Sequence, residues 1–431
     1  MTMSDANLRS LATLGALRAG TTIDRLVVIN DVSVVRGGAT NVAMTSVRLL
    51  SERGIPVTYF TGDDGLNADE KLQDVDVEAV GAKHIREAGL LHGASSGLYN
   101  RTSASALAEW IAKNDTPRTV YHLHGWSKIL SPSIFAPLRR VAPRLVVSAH
   151  DFFLVCPNGG YYDFQAQSVC NLQPMTLACA AKSCDRRNYA HKLWRLARQT
   201  VRDKLFRFAN HGSTVLAVHE KMLPLLAFGG LPPDKLRTLR NPVTPWRANR
   251  VRAEQNRDFI FVGRLEQDKG ADLFAEAARR AGVPVTIVGT GPQHDVIAKI
   301  YPEAKLVGWK SRQEIVEIAG SARALVMPSR YREPFGLVAL EALMSGIPTI
   351  VTPQSMIAEE LVAAGMAVAC DANAVDELAA LLRRLAADDA DIASMSRTGF
   401  AEAHRFALSP NEWANRLHAI YIEAANQNAS G

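Results

Sequence analysis

A chain of 431 residues is longer than one ordinary core supports, so two or three domains are expected. Its 47% hydrophobic and 21% charged residues indicate a soluble globular protein, and no apolar run approaches the roughly 20 residues needed to cross a bilayer. The net charge of +6 is uneven: residues 1–246 hold 29 Lys+Arg against 20 Asp+Glu (+9), and the remainder 20 against 23 (−3), a weak hint of an anionic partner.

The stretch 1–20 is mixed in polarity with helical periodicity. It lacks the ordered basic, apolar and small-residue regions of a signal peptide, so a cytoplasmic location is expected. Strands then alternate with helices, the pattern of parallel α/β sheets. "DRLVVIND" (24–31) reads as a buried strand and is followed by Gly37 and Gly38. "ATNVAMTSVRLLSERG" reads as a helix stopped at Gly54. "IPVTYFTG", "TVYHLHG" (119–125), "RLVVSAHD" (144–151) and "STVLAVHE" (213–220) continue the set. Asp74-Val75-Asp76 mimics a metal-binding D-x-D, but an acidic run without other chemistry around it reads better as a solvated face.

Four prolines in "LPPDKLRTLRNPVTPW" (231–246) mark a boundary. The expected units are 1–241, with a Cys-containing insert at about 156–186, then 242–410, then a helix over 411–431 packing back towards the first unit. The second unit repeats the alternation: "RDFIFVGRL", helix 270–281, "VPVTIVGTGP", helix 292–300, "AKLVGW", helix 311–320, "ALVMPS", helix 336–345 and "IPTIVTP". The expected fold is α/β, two Rossmann-like doubly wound domains facing a central cleft, with ligands at the carboxyl ends of the strands.

Arg264 and Lys269 lie just beyond a strand, where two cations suit a departing diphosphate. Gly289 and Gly291 follow the next strand and permit close backbone approach, although a lone G-x-G is more often a turn. In "YREPFGLVALEALMSG", Pro334 holds Glu333 extended. The helix should start near Phe335-Gly336, leaving the amides of Phe335, Gly336 and Leu337 as an anion-binding terminus. Glu341 then lies about one and a half turns in, at roughly 1.5 Å of rise per residue. One carboxylate meets a sugar at the mouth, and the other a ribose diol deeper down.

"EPFGLVALE" resembles the E-x7-E motif of GT-B glycosyltransferases of family GT4. "GGATNVAMTSVRLLSERGIPVTYFTG", "HDFFLVCPNGG", "FVGRLEQDKG" and "ALEALMSGIPTIVT" resemble its other signatures in the right order. The resemblance implies Arg264 and Lys269 on the donor diphosphate, Glu333 on sugar hydroxyls, and Glu341 on ribose. It also implies Gly37 and Gly38 across the cleft, and His150 facing the donor sugar. Retaining hexosyl transfer without a bound metal follows from the likeness. The donor would be a UDP- or GDP-hexose and the acceptor a glycan, lipid-linked as in surface polysaccharide synthesis; no nucleic acid partner is expected. His150 and Asp151 also have a structural reading as strand-end residues, and His124 stands evenly between the two. Trp309 and Arg330 are candidates for selecting the nucleotide.

Two segments stand outside this scheme. In 186–208, eight Lys and Arg interleave with Trp194, Leu205, Phe206 and Phe208. This basic amphipathic helix either lies on an anionic bilayer, peripheral on the inner face of the membrane, or packs its apolar face on the first domain. Cys156, Cys170, Cys179 and Cys184 either close a structural zinc site, or stay reduced in a lid, or form a disulfide on handling. The competing whole-chain readings are a nucleotide-sugar 2-epimerase or hydrolase of the same fold, and a peripheral scaffold with an inactive cleft.

Overall fold

The structure, a computed structural model, describes residues 22–34, 37–66 and 75–427. The stretch 1–20 and Asp74 lie outside the described residues. The chain opens with β1 (Arg25–Asn30), β2 (Val57–Thr61), β3 (Asp76–Ala79), β4 (Thr119–Leu123) and β5 (Leu145–Ala149). A small antiparallel hairpin, β6 (Tyr162–Asp163) with β7 (Ser168–Val169), interrupts the series before β8 (Thr214–Ala217) and β9 (Leu236–Thr238). Apart from the hairpin these form one parallel sheet in the order β3-β2-β1-β4-β5-β8-β9.

The second sheet contains β10 (Asp258–Val262), β11 (Val285–Val288), β12 (Lys305–Gly308), β13 (Ala322–Met327), β14 (Thr349–Val351) and β15 (Ala367–Ala369). Its order is β12-β11-β10-β13-β14-β15, again parallel. Strand order reverses at β1/β4 in one sheet and at β10/β13 in the other, and these switch points open crevices at the carboxyl ends.

Sequence chemistry explains the elements. The central strands are continuous apolar runs because helices cover both faces of each sheet. Helix Gly38–Ser51 buries Val42, Ala43, Val47 and Leu50 against β1 and β2. Helix Ala271–Ala281 stops at Gly282, whose left-handed φ of 69° costs a glycine nothing. Ser311 and Glu314 form a reciprocal capping box that starts the helix Arg312–Gly320.

Helix Pro410–Gln427 returns to the first sheet, burying Trp413, Leu417 and Tyr421 in the cluster that holds Leu26 and Val28. Each such side chain stabilises that docking by roughly 1.5–3 kcal/mol. The two interdomain crossings run side by side, with the Val243 amide donating to the Leu408 carbonyl at 3.0 Å.

The structure adds to the sequence reading at three places. The acidic run read as a solvated face supplies strand β3 at the sheet edge, and its residues remain exposed. Helices Leu90–Leu98 and Arg101–Asn114 fill a region the sequence reading left unassigned. The basic segment does form a helix, Tyr189–Leu205, but much of its charge points inward. Lys192, Arg198 and Arg202 are buried, Arg195 pairs with Asp185, and Arg186 pairs with Glu266 and Asp268. Phe206 and Phe208 lie in the core, and the Trp194 indole donates to the Ala94 carbonyl at 2.9 Å. Packing thus takes up Trp194, Phe206 and Phe208, while Tyr189 and Leu193 stay exposed at 41% and 48%.

Candidate active site

The donor side is built at the β10/β13 switch point. After β10 the chain makes a short turn, Gln267–Lys269, closed by Gly270 at φ 72°. A Cβ on Gly270 would stand 2.0 Å from the Pro328 carbonyl oxygen, so only glycine lets this loop press against the end of β13. That contact brings Lys269 to the loop after β13. Its Nζ donates to Glu333 Oε2 at 2.6 Å and to the Tyr331 hydroxyl at 2.9 Å. The Tyr331 hydroxyl in turn donates to Glu333 Oε2 at 2.8 Å. Burial would raise the Glu333 carboxyl, but the Lys269 ammonium and the hydroxyls of Tyr331 and Ser329 outweigh it and hold the group below its usual range.

Around this trio the remaining donor-side residues fall into place. Arg264 is half free, 57% exposed, with Nη1 3.7 Å from Glu266. Gly289 and Gly291 have φ of 140° and 155°, and a Cβ on either would strike the carbonyl oxygens of Gly263 or Leu265 at 1.8 and 2.5 Å. They are packing positions that draw the loops after β10 and β11 together. Phe335 is buried, Gly336 is left-handed, and the helix runs Leu337–Leu343, starting slightly later than its sequence suggests. Burial pushes Glu341 above the usual carboxylate range despite Arg312 at 3.1 Å.

The facing wall comes from the first domain. Gly38 lies so near the donor helix that a Cβ would be 2.9 Å from Leu337 Cδ1, whereas Gly37 has open space. Gly38→Val is therefore expected to hold the cleft open and raise the KM for donor about tenfold or more, a modest part of the energy of one misfit contact. Steady-state kinetics with varied donor checks this.

At the β1/β4 switch point a polar pocket is lined by Asn30, Asp31, Thr40, His124, His150 and Asp151. Asp31 accepts from the amides of Lys128, Ile129 and Leu130 at 2.8–2.9 Å, which shapes the pocket floor. His150 Nε2 lies 2.9 Å from His124 Nδ1, His124 Nε2 lies 3.1 Å from His122 Nδ1, and His122 reaches Tyr421 and Ser148. His124 is thus a link in a buried chain, with His150 at its cleft end. Asp151 accepts from the Phe153 amide, and burial raises its carboxyl to about 6.

Burial lowers His122 to about 3 and His150 to about 4, and His124 falls well below the ordinary imidazole value. These rings are neutral at physiological pH. In the unfolded chain they bind protons below about 6.5, which the folded state refuses, so stability is present above that pH and is lost as pH falls towards 4. Asp151 has the opposite sign and offsets part of this. Urea midpoints at pH 7 and pH 5 are expected to show the lower value at pH 5.

Two assignments need correction. Arg330 does not face the donor: it is 4% exposed, donates twice to Asp272 at 2.7–2.8 Å and also to the Gln267 carbonyl. It is a buried strut beneath the donor loop. The four thiols do not close a tetrahedral site, because the Lys192 ammonium sits 3.4 Å from Cys179 Sγ and 3.3 Å from Cys184 Sγ. Cys156 and Cys170 do not complete a set with them. Among the described residues His219, Glu220 and Glu360 do converge, but the Arg240 guanidinium already bonds both carboxylates. Trp309 follows the edge strand β12 and is 66% exposed.

Several residues of the site gave no sequence signal. Tyr331 joins Lys269 and Glu333, Arg312 pairs Glu341, and Arg186 and Arg332 reach across the cleft. Arg332 donates to the Cys170 carbonyl at 3.0 Å and to Asn171 at 2.7 Å, so the insert rests on the loop that carries Glu333.

This arrangement of paired domains agrees with comparison to known proteins. Residues 36–247 match the family described as Glycosyltransferase Family 4, and residues 243–402 match Glycosyl transferases group 1. The chain belongs to the GT4-type glycosyltransferases of the GT-B fold. Over 144 residues it is 33% identical to a glycogen synthase of Mycobacterium tuberculosis, covering 31% of this chain and 34% of that protein. It is also 33% identical over 90 residues to a GDP-mannose-dependent alpha-mannosyltransferase of Corynebacterium glutamicum, 21% and 22% of the two chains. The matches thus span about a third of one relative and less of the other. A sucrose-phosphate synthase from Thermosynechococcus elongatus shares the fold at TM-score 0.69 and 15% identity, over 92% of this chain and 98% of that one. No described helix is long and apolar enough to cross a membrane.

Proposed function

We propose that this protein transfers a hexosyl group from a nucleoside-diphosphate sugar to a glycan acceptor, with retention of anomeric configuration and without a bound metal. The observation that carries the reading is the Lys269–Tyr331–Glu333 cluster at the β10/β13 switch point. It places a cation for the departing diphosphate within 2.6 Å of a carboxylate for sugar hydroxyls. Arg264 supplies a second, half-exposed cation. Glu341, raised but held by Arg312, accepts hydrogen bonds from the ribose, and the exposed Trp309 ring stacks on the base.

In this reading the polar pocket around His150, Asp31 and Asp151 takes the acceptor and donor sugar, and its neutral imidazoles hydrogen-bond without adding charge. Structural neighbours include a protein described in complex with UDP-glucose and WaaG, described as a glycosyltransferase involved in lipopolysaccharide biosynthesis. The first description is in keeping with a uridine hexose donor, the GDP-mannose-dependent relative with a guanosine one, and the WaaG description with a lipid-linked acceptor. Incubation with UDP- and GDP-hexoses and lipid-linked glycans, read by mass spectrometry and by NMR of the new linkage, tests it. The expected product has the donor's anomeric configuration, and yield is unchanged by EDTA. Inverted product, EDTA-dependent loss restored by Mg²⁺, or donor epimerisation without acceptor would overturn the reading.

A further inference from the structure

Lys192 is 1% exposed on helix Tyr189–Leu205. Its Nζ meets Cys179 Sγ at 3.4 Å and Cys184 Sγ at 3.3 Å. Among the described residues no carboxylate pairs with it; the nearby acid Asp185 is engaged by Arg195. A buried ammonium without a carboxylate is costly, so this arrangement calls for another explanation. Both thiols are themselves buried, at 7% and 6% exposure. Asn158 Nδ2 fixes Cys184, donating to its carbonyl at 2.6 Å and its Sγ at 3.1 Å. Three chain segments therefore hold one amine between two thiols.

We propose that Lys192, Cys179 and Cys184 form an oxidation-dependent covalent site in which the lysine nitrogen is joined to cysteine sulfur through an oxygen atom. The oxidant is hydrogen peroxide. In a first step the thiolate attacks peroxide, the O–O bond breaks, and a sulfenic acid and water result. In a second, the amine nitrogen bonds the sulfenic oxygen, a second peroxide is reduced, and the N–H and O–H protons leave as two waters. Thiol and amine plus two peroxides thus give S–O–N and three waters, with sulfur and nitrogen oxidised. The same sequence on the other thiol, which is equally near, produces the branched bridge to both sulfurs.

Neighbouring charge favours the first step. Burial raises the Cys184 thiol, and the adjacent Lys192 ammonium opposes that rise. A metal fits less well, since a cation already lies between the two sulfurs and a zinc site needs four converging donors. The bridge would tie helix Leu177–Ala181 and the loop around Cys184 to helix Tyr189–Leu205. Arg186, two residues beyond Cys184, bonds Asp268 in the turn that carries Lys269. Oxidation therefore fixes the insert against the donor loop.

The test uses the full chain, purified under reductant and then exposed to hydrogen peroxide, denatured, alkylated and digested with trypsin. The expected product joins peptide 183–186 to peptide 188–195, uncut at Lys192, with one oxygen gained and two hydrogens lost per bridge. Dithiothreitol should restore the separate peptides. Lys192→Arg keeps the charge and should abolish the species; Cys184→Ser, which alters volume little, should abolish the same joined peptides if the arginine variant does not fold. A Cys179–Cys184 disulfide, fully alkylated thiols with normal cleavage at Lys192, or one equivalent of zinc in the untreated protein would each overturn the proposal.

Discussion

Lys269→Ala and Glu333→Gln are each expected to lower turnover about 100-fold or more, the usual consequence of removing one group placed where charge develops. Lys269→Ala acts through the leaving diphosphate: Arg186 and Arg330 at this loop are engaged by Glu266, Asp268 and Asp272, which leaves Arg264, more than half exposed. Glu333→Gln keeps shape and the bond from Tyr331 but removes the negative charge that faces Lys269 at 2.6 Å. Both side chains lie at the rim of the cleft, 19% and 15% exposed, so the fold should survive. Circular dichroism and urea midpoints check this, and single-turnover kinetics with saturating donor measure the loss. Near-normal turnover in both variants would remove the assignment.

Arg330→Ala should act in the opposite way, destabilising the protein by about 3–5 kcal/mol, the cost of breaking a buried ion pair. Its partner Asp272 would be left beneath the donor loop with the Gln267 carbonyl also unpaired. Against a typical stability of about 5–15 kcal/mol this is large. Arg264→Ala, on a solvated side chain, should change stability by no more than about 0.5 kcal/mol while lowering activity. Denaturant unfolding of the two variants side by side measures the contrast. Equal stabilities would show that Arg330 is not the strut its contacts describe.

The two arginines show what could be read from residues in order. Strands and helices of both domains were legible because parallel sheets impose unbroken apolar strands between amphipathic helices, and glycines such as Gly282 mark the stops. Lys269, Glu333 and Glu341 were legible because spacing along a strand–loop–helix unit fixes where they emerge. Arg330 was misread because it stands one residue before Tyr331 yet turns under the loop, a choice set by Asp272 far away in sequence. The basic helix was legible only as two alternatives, bilayer surface or packing on the first domain, for a similar reason. Periodicity showed an apolar face with cations, but not that Glu266, Asp268 and Asp185 would absorb those cations. The cysteines gave spacing alone, and Lys192 between two of them carries no sequence signature. Strand β3 was hidden because it is only four residues long and exposed throughout, with two acids among them, so no buried apolar run marks it.

The most direct measurement is the thermal midpoint of wild type and Lys269→Ala against a panel of UDP- and GDP-hexoses. A ligand at 100 times its Kd stabilises by about 2.7 kcal/mol, which is readily seen as a shift. The expected result is that one nucleotide class raises the wild-type midpoint and that Lys269→Ala loses most of the rise. An equal rise in both proteins, or none in wild type with any nucleotide sugar, would contradict a donor diphosphate held by Lys269.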